Sequence, residues 1–243
     1  MKTLIIVVFT FLSISSYAQD MQKYLSETQE MVTQKKYQEA LERYIWFQDH
    51  SLEHDMAMTG VRLSYALSSW KSLADIYPPA MTAFKGMRDN KTREILDSNA
   101  ASQLFGDVAA LNRVLGEDSK TIELFETLTK SHPNDAKRSW YWVKDALFNA
   151  KRYDIIRNYI GNPLNEFALL KSQYDMMNTF TKDDKKQQDA LKSFNDNNLV
   201  EKSLQLIQFS IAVNDLKSAK EIRKKAMKIV KDNRLRDVEI NKS

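Results

Sequence analysis

The sequence predicts an all-α chain, a right-handed α-solenoid of about six antiparallel helical hairpins, and three observations carry that prediction. Only five of 243 residues are glycine and four are proline, too few for the turns of a strand-built fold. After Gln19, apolar residues recur at steps of three and four, the spacing of one helix face. A local phrase also returns along the chain, starting at Tyr37, Tyr77, Asp118, Tyr153, Gln187 and Leu216. Intervals of that size mark stacked helical hairpins.

The same composition excludes several chemistries. No cysteine is present, so disulfides, thiolate nucleophiles and cysteine-ligated zinc are ruled out. Neither G-x-G-x-x-G nor G-x-x-x-x-G-K-[ST] occurs, so no glycine-rich phosphate loop can be written. The formal charge of +4 comes from 36 basic and 32 acidic residues. The two signs are interspersed, and the densest basic run, Arg223-Lys224-Lys225, reads as a solvated helix face. No nucleic-acid partner is expected.

Lys2 and the apolar run from Leu4 to Leu12, followed by small residues at Ser16 and Ala18, read as a secretory signal peptide over 1–18. Cleavage is expected between Ala18 and Gln19. The apolar run is half of what a membrane span needs, so no stable anchor is expected after cleavage. The mature protein is expected in the periplasm or outside the cell.

The phrase itself is an aromatic or leucine, a small residue three on, an apolar residue four later and another about three after that. It reads Tyr37, Ala40, Tyr44, Phe47, then Tyr77, Ala80, Phe84, Met87. Looser copies are Asp118, Thr121, Phe125, Leu128 and Tyr153, Ile156, Ile160. The weakest are Gln187, Ala190, Phe194 and Leu216, Ala219, Arg223, Ala226. Another amphipathic stretch precedes each. Gly116 and Asn214 fall between helical stretches and tolerate the left-handed backbone of a helix end. Pro78-Pro79 suits a helix start, where a missing N–H does no harm, and Pro133 closes a unit after His132.

With these residues in place, the chain resembles tetratricopeptide repeat (TPR) proteins. That motif sets tryptophan, leucine-glycine, tyrosine, alanine, phenylalanine and a closing proline in order. The best-matching unit has Phe105 in the tryptophan place, Val108-Ala109 for leucine-glycine, Gly116 at the turn, Thr121, Phe125 and Pro133. The next supplies Trp140, Val143 and Tyr153. Tyr24 and Tyr174 hold the tryptophan place in the first and fifth units. Leucine-glycine is never intact, the tyrosine of the first helix is missing, and Ser64 and Ser203 stand where units two and six should carry an aromatic. The resemblance runs from about Met21 to Lys231. It suggests better-matching repeats over 19–161, divergent hairpins continuing the solenoid over 162–232 and a tail over 233–243. A HEAT-type helical array remains open.

What the resemblance implies for function is a non-enzymatic scaffold that binds a protein or peptide along a concave groove. Carried over place by place, the groove would be lined by Arg62, Tyr65, Gln103, Arg113, Arg138, Tyr141, Asp145 and Phe148. Arginine among aromatics suits an acidic or C-terminal peptide, since a guanidinium can hold a carboxylate through two bonds. Trp140 would pack inward and its neighbour Tyr141 would face the groove. Two other readings stay open: a structural subunit of a cell-envelope assembly, and a small zinc-dependent hydrolase. The second rests on His50-Ser51-Leu52-Glu53-His54, formally H-x-x-E-H, which sets two histidines on one helix face with a glutamate to activate water. It falls where a helix should be ending, a poor platform for a metal, and no further ligand is evident. No cofactor and no catalytic residue are expected. The carboxylate pairs Glu117-Asp118 and Asp183-Asp184 read as turn residues. Asn90-Lys91-Thr92 and Asn241-Lys242-Ser243 fit a glycosylation sequon that matters only in a eukaryotic secretory route.

Overall fold

The computed structural model describes residues 7–97, 101–180 and 184–240, with backbone alone for 7–19 and 101–103. The fold is all-α, with no strand among the described residues. In chain order come α1 (Val7–Thr33), α2 (Tyr37–His54), a 3-10 turn (Met56–Met58), α3 (Thr59–Val61), a π-helical turn (Arg62–Ala66) and α4 (Leu67–Ala74). Then follow α5 (Pro78–Asp97), α6 (Ala101–Leu115), α7 (Asp118–Ser131), α8 (Pro133–Asn149) and α9 (Tyr153–Ile156). The last are α10 (Pro163–Met177), α11 (Lys185–Ala212), α12 (Leu216–Ile229) and α13 (Asn233–Asp237). Of the expected leader, 1–6 lies outside the described residues, and the α1 backbone continues through Ala18 and Gln19. No described helix is long and apolar enough to cross a membrane.

The chain divides into two compact units, Met1–Val143 and Lys144–Ser243. In the first unit, chain neighbours pack on one another: α1 on α2, α4 on α5, α5 on α6 and α6 on α7. The recurring phrase explains why. Its small residues Ala40, Ala80 and Thr121 are all buried, as are the larger Tyr44, Phe47, Phe84, Phe125 and Leu128. A small side chain lets two helix backbones approach closely while the aromatic one turn on fills the space beside it.

Four of the turns between helices are the same structure. Before α2, α7, α9 and α12 the backbone turns left-handed at Lys35, Gly116, Lys151 and Asn214. Each is followed by the same pair of bonds, as at Glu117 N–H to Asn112 O and Gly116 N–H to Arg113 O. This six-to-one plus five-to-two pattern is a Schellman cap, which satisfies the last carbonyls of one helix and aims the chain into the next. The α4–α5 turn is different: Pro78 opens α5, and Tyr77 N–H returns to Leu73 O.

Two expectations about repeat register need correction. Ser64 does not occupy a packing place; it is exposed and bonds back to Gly60 O. Trp70 fills the core there instead, fully buried with its ring edge-on to Phe84 at 4.9 Å. The π-helical turn inserts extra residues per turn and shifts which side chains point inward. The phrase at Gln187 opens no second helix either. It lies in the first turns of the 28-residue α11, and its Phe194 is 66% exposed.

The second unit is less regular. α9 is a single helical turn, because Asn158, a left-handed Gly161 and Pro163 end any continuation towards Ile160. Asn162 then caps α10, accepting from Leu164 N–H, with Pro163 at the first helical position. α11 packs against both α10 and α12. The core holds Leu147, Ile156, Phe167, Leu199, Ile207, Ala219, Ile222 and Ala226.

Candidate interaction surface

The first helices of successive hairpins in the first unit are joined through the places the resemblance assigns to a groove. Tyr65, on the π-helical turn, donates its hydroxyl to Gln29 Oε1 of α1 at 2.7 Å and leaves half its surface open. Arg113 of α6 donates to the Leu63 carbonyl at 2.8 Å, which ties α6 to the same turn, and its side chain otherwise faces solvent.

The next step along this face is made by a glycine. Any Cβ at Gly106 of α6 would lie 2.7 Å from Cε2 and 2.9 Å from Cζ2 of Trp142 on α8. The indole therefore lies directly over the α6 backbone, an approach only glycine permits. Trp142 remains 37% exposed and Tyr141 66% exposed, their rings edge-to-face at 5.1 Å. Arg138, one turn earlier, is exposed and pairs loosely with Asp135 at 3.7 Å. An edge-to-face aromatic pair fixed by its own packing offers large contact area with little freedom to lose on binding. Trp142 was not among the expected groove residues. The sequence signal that could have found it is a glycine inside a helix, Gly106, which marks a close approach.

Two expected residues lie elsewhere in character. Arg62 is buried, not presented: it makes a two-pronged ion pair with buried Asp107 and donates to Gln48 O at 3.2 Å. Lys91 adds a contact to the same carboxylate at 3.0 Å, and Gln48 returns a bond to Arg62 O. Burial works to raise the Asp107 carboxyl, but the bonds and charges of Arg62 and Lys91 prevail and hold it below the usual carboxylate range. Arg62 thus joins α2, the π-helical turn and α6, and Asp107 brings in α5 through Lys91. Phe148 is also buried, packing edge-on against Phe209 within the second unit. It is a core side chain, because α8 turns that face inward. Asp145, in the second unit, is exposed and pairs with Lys202 at 2.6 Å. The Gln103 side chain lies outside the described residues.

The histidine motif forms a column rather than a chelate. Trp46, His50 and His54 stand one turn apart on α2, the indole 5.4 Å from each imidazole. His50 Nδ1 faces Glu53 at 3.2 Å. α2 runs through His54 and ends at Asp55, so the motif occupies the last turn of the helix. Among the described residues no three His, Asp or Glu side chains come together to hold a metal. Glu117 accepts from Lys120 and Arg88, and these bonds pull its carboxyl down to about 2; it is an ionised partner to those cations rather than half of a proton-sharing pair.

No protein-family model, curated protein or solved structure matches the chain. The reading of this surface therefore rests on its own geometry.

Proposed function

We propose that the protein is an exported, non-enzymatic scaffold, a right-handed TPR-like solenoid of about six hairpins, that captures a protein or peptide. The capture face is that of the first helices in the first unit, with Tyr141 and Trp142 as apolar anchors and Arg113 and Arg138 as cations. An acidic segment suits it, since both arginines can meet carboxylates beside an aromatic floor. The observation that carries the reading is the exposed Tyr141–Trp142 pair held over Gly106. A mobile surface aromatic would collapse on its own helix, whereas this one is seated on its neighbour and still faces solvent.

The test is a photo-crosslinking residue placed at Tyr141 and, as a control, at exposed Leu169 of the second unit. One dominant adduct at position 141, lost when Arg113→Glu is added, supports the reading. Equal labelling at both positions, or adducts insensitive to Arg113→Glu, would overturn it.

A further inference from the structure

The second unit carries a feature that the proposed capture face does not use. α12 buries Ser218, Ala219, Ile222 and Ala226. At about 100° per residue, Lys217, Lys220, Lys224 and Lys228 fall within a stripe about 80° wide on the opposite side. All four are exposed, and so is Lys231 just beyond the helix end. Among the described residues none of these five has an ion-pair partner, and the sole acidic residue of α12, Glu221, is engaged at 3.8 Å by Lys225 beside the stripe. Four lysines elsewhere in the unit are paired, Lys144 with Glu166, Lys171 with Asp175, Lys192 with Asp196 and Lys202 with Asp145. Lys151, Lys185 and Lys186, unpaired among the described residues, lie off α12 and form no such row. Five unpaired positive charges along one helix side and just past its end, with no carboxylate among them, make a concentrated positive field that suits an external anion.

We propose that this stripe adsorbs reversibly to an anionic phospholipid surface. The side-chain types choose among anions. The stripe contains no arginine, the residue suited to two-pronged recognition of a single carboxylate or phosphate. It also has no aromatic residue on which a nucleobase could stack, and no apolar anchor to fix the register of a peptide. Lysines alone are flexible, strongly hydrated point charges that read charge density rather than shape. A fluid sheet of anionic headgroups presents density without fixed geometry, and a straight helical row about 16 Å long can lie along it. The apolar face of α12 is used up inside the unit, so the helix rests on the surface and does not insert.

The experiment is co-sedimentation of the full chain with vesicles of about 30% phosphatidylglycerol in phosphatidylcholine. Binding to pure phosphatidylcholine is subtracted, which removes any contribution of the apolar run Leu4–Leu12. Each lysine near such a surface strengthens binding roughly fivefold at low ionic strength. The quadruple variant Lys217→Glu, Lys220→Glu, Lys224→Glu, Lys228→Glu is expected to lose at least ~100-fold in partitioning at about 50 mM salt. A matched control, Lys23→Glu, Lys85→Glu, Lys130→Glu, Lys137→Glu, has the same net charge and is expected to lose less than about fivefold. The milder quadruple Lys→Gln set, with helical circular dichroism unchanged, covers the case in which the glutamate variant fails to fold. Equal losses in stripe and control variants would reduce the effect to net charge and overturn the proposal, as would no adsorption by the parent chain. Displacement from vesicles by polyglutamate or duplex DNA at equal anionic charge would overturn it too, by assigning the stripe to a different polyanion.

Discussion

The two units differ in how deeply they bury charge. In the first, the deepest ionic contacts run between helices and under cover, beside more open local pairs such as Lys71 with Asp75 and Arg138 with Asp135. Arg62 and Asp107 are each 8% exposed, and Arg88, equally buried, reaches Glu117 and Asn112 from α5. Asn112 passes the connection on to Thr121 of α7 at 3.0 Å. In the second unit the links are shallower: Lys144 with Glu166 and Tyr174 with Asp196 are half-buried, and Lys202 with Asp145 and Arg234 with Asp232 are more open to water. A desolvated pair contributes little net stability over an apolar filling, yet losing one partner strands a buried charge. An exposed pair contributes little and costs little to lose. The first unit thereby gains a requirement for one register: only with the π-helical turn in place does Arg62 meet Asp107. The proposed capture face would benefit from that rigidity.

The largest effect that could break this contrast is at Asp107. Asp107→Asn is expected to destabilise the first unit by about 3–5 kcal/mol, whereas Lys202→Met should change the second by less than ~1 kcal/mol. All four tryptophans, Trp46, Trp70, Trp140 and Trp142, lie in the first unit, so urea unfolding followed by tryptophan fluorescence reports that unit alone, and circular dichroism follows the second. Losses of similar size in the two variants would erase the distinction.

Next comes Gly106→Ala. The added methyl meets the Trp142 ring well inside contact distance, and overpacking of this kind costs about 1–3 kcal/mol. The indole should be displaced towards water, shifting its emission to the red, and partner crosslinking at Tyr141 should fall. An unshifted spectrum would show that the glycine does not hold the pair in place.

Acid sharpens the comparison further. The folded state depresses both Asp107 and Glu117 from ordinary values of 3.8 and 4.5, the latter to about 2. Each therefore contributes stability that is complete above its unfolded value and is lost as pH falls through its folded value. The fluorescence-monitored midpoint of the first unit should drop between about pH 4.5 and 2, and Glu117→Gln should flatten the lower part of that fall. A midpoint unchanged across this range would mean that the buried network does not couple folding to proton binding.

Much of the helical architecture could be read from local sequence, because helix spacing and small buried residues are short-range signals. Ala40, Ala80, Thr121 and Ala219 each fell in a repeating phrase and each is buried. Gly116 and Asn214 declared their turns, while the equivalent Lys35 and Lys151 did not, since lysine gives no sign of a left-handed backbone. The exchange of Ser64 for Trp70 was hidden by a π-helical turn, whose extra residues leave no local mark. Of the residues expected on the groove, Tyr65, Arg113 and Tyr141 are exposed, as the periodicity of a helix face can anticipate. Arg62 was misplaced because its partner, Asp107, lies 45 residues away, and long-range pairing of charges is invisible to periodicity.

The smallest effect tests what the units have in common. The same left-handed cap occurs at Lys35 and Gly116 in the first unit and at Lys151 and Asn214 in the second. A residue with a Cβ pays roughly 1 kcal/mol for that conformation, whereas glycine pays none but loses more freedom on folding. The first contribution exceeds the second, so Lys35→Gly and Lys151→Gly should each stabilise by about 0.5 kcal/mol. Asn214→Gly should change little, because asparagine already tolerates the left-handed region. Gly116→Ala should cost about 1 kcal/mol, with no contact responsible, since a Cβ there meets nothing within 4 Å. Urea midpoints, by fluorescence for the first unit and circular dichroism for the second, would measure all four. Equal gains at Lys35 and Lys151 would place the shared turn in the backbone, independent of how each unit handles its charges; a gain at only one would make the turn part of the difference between them.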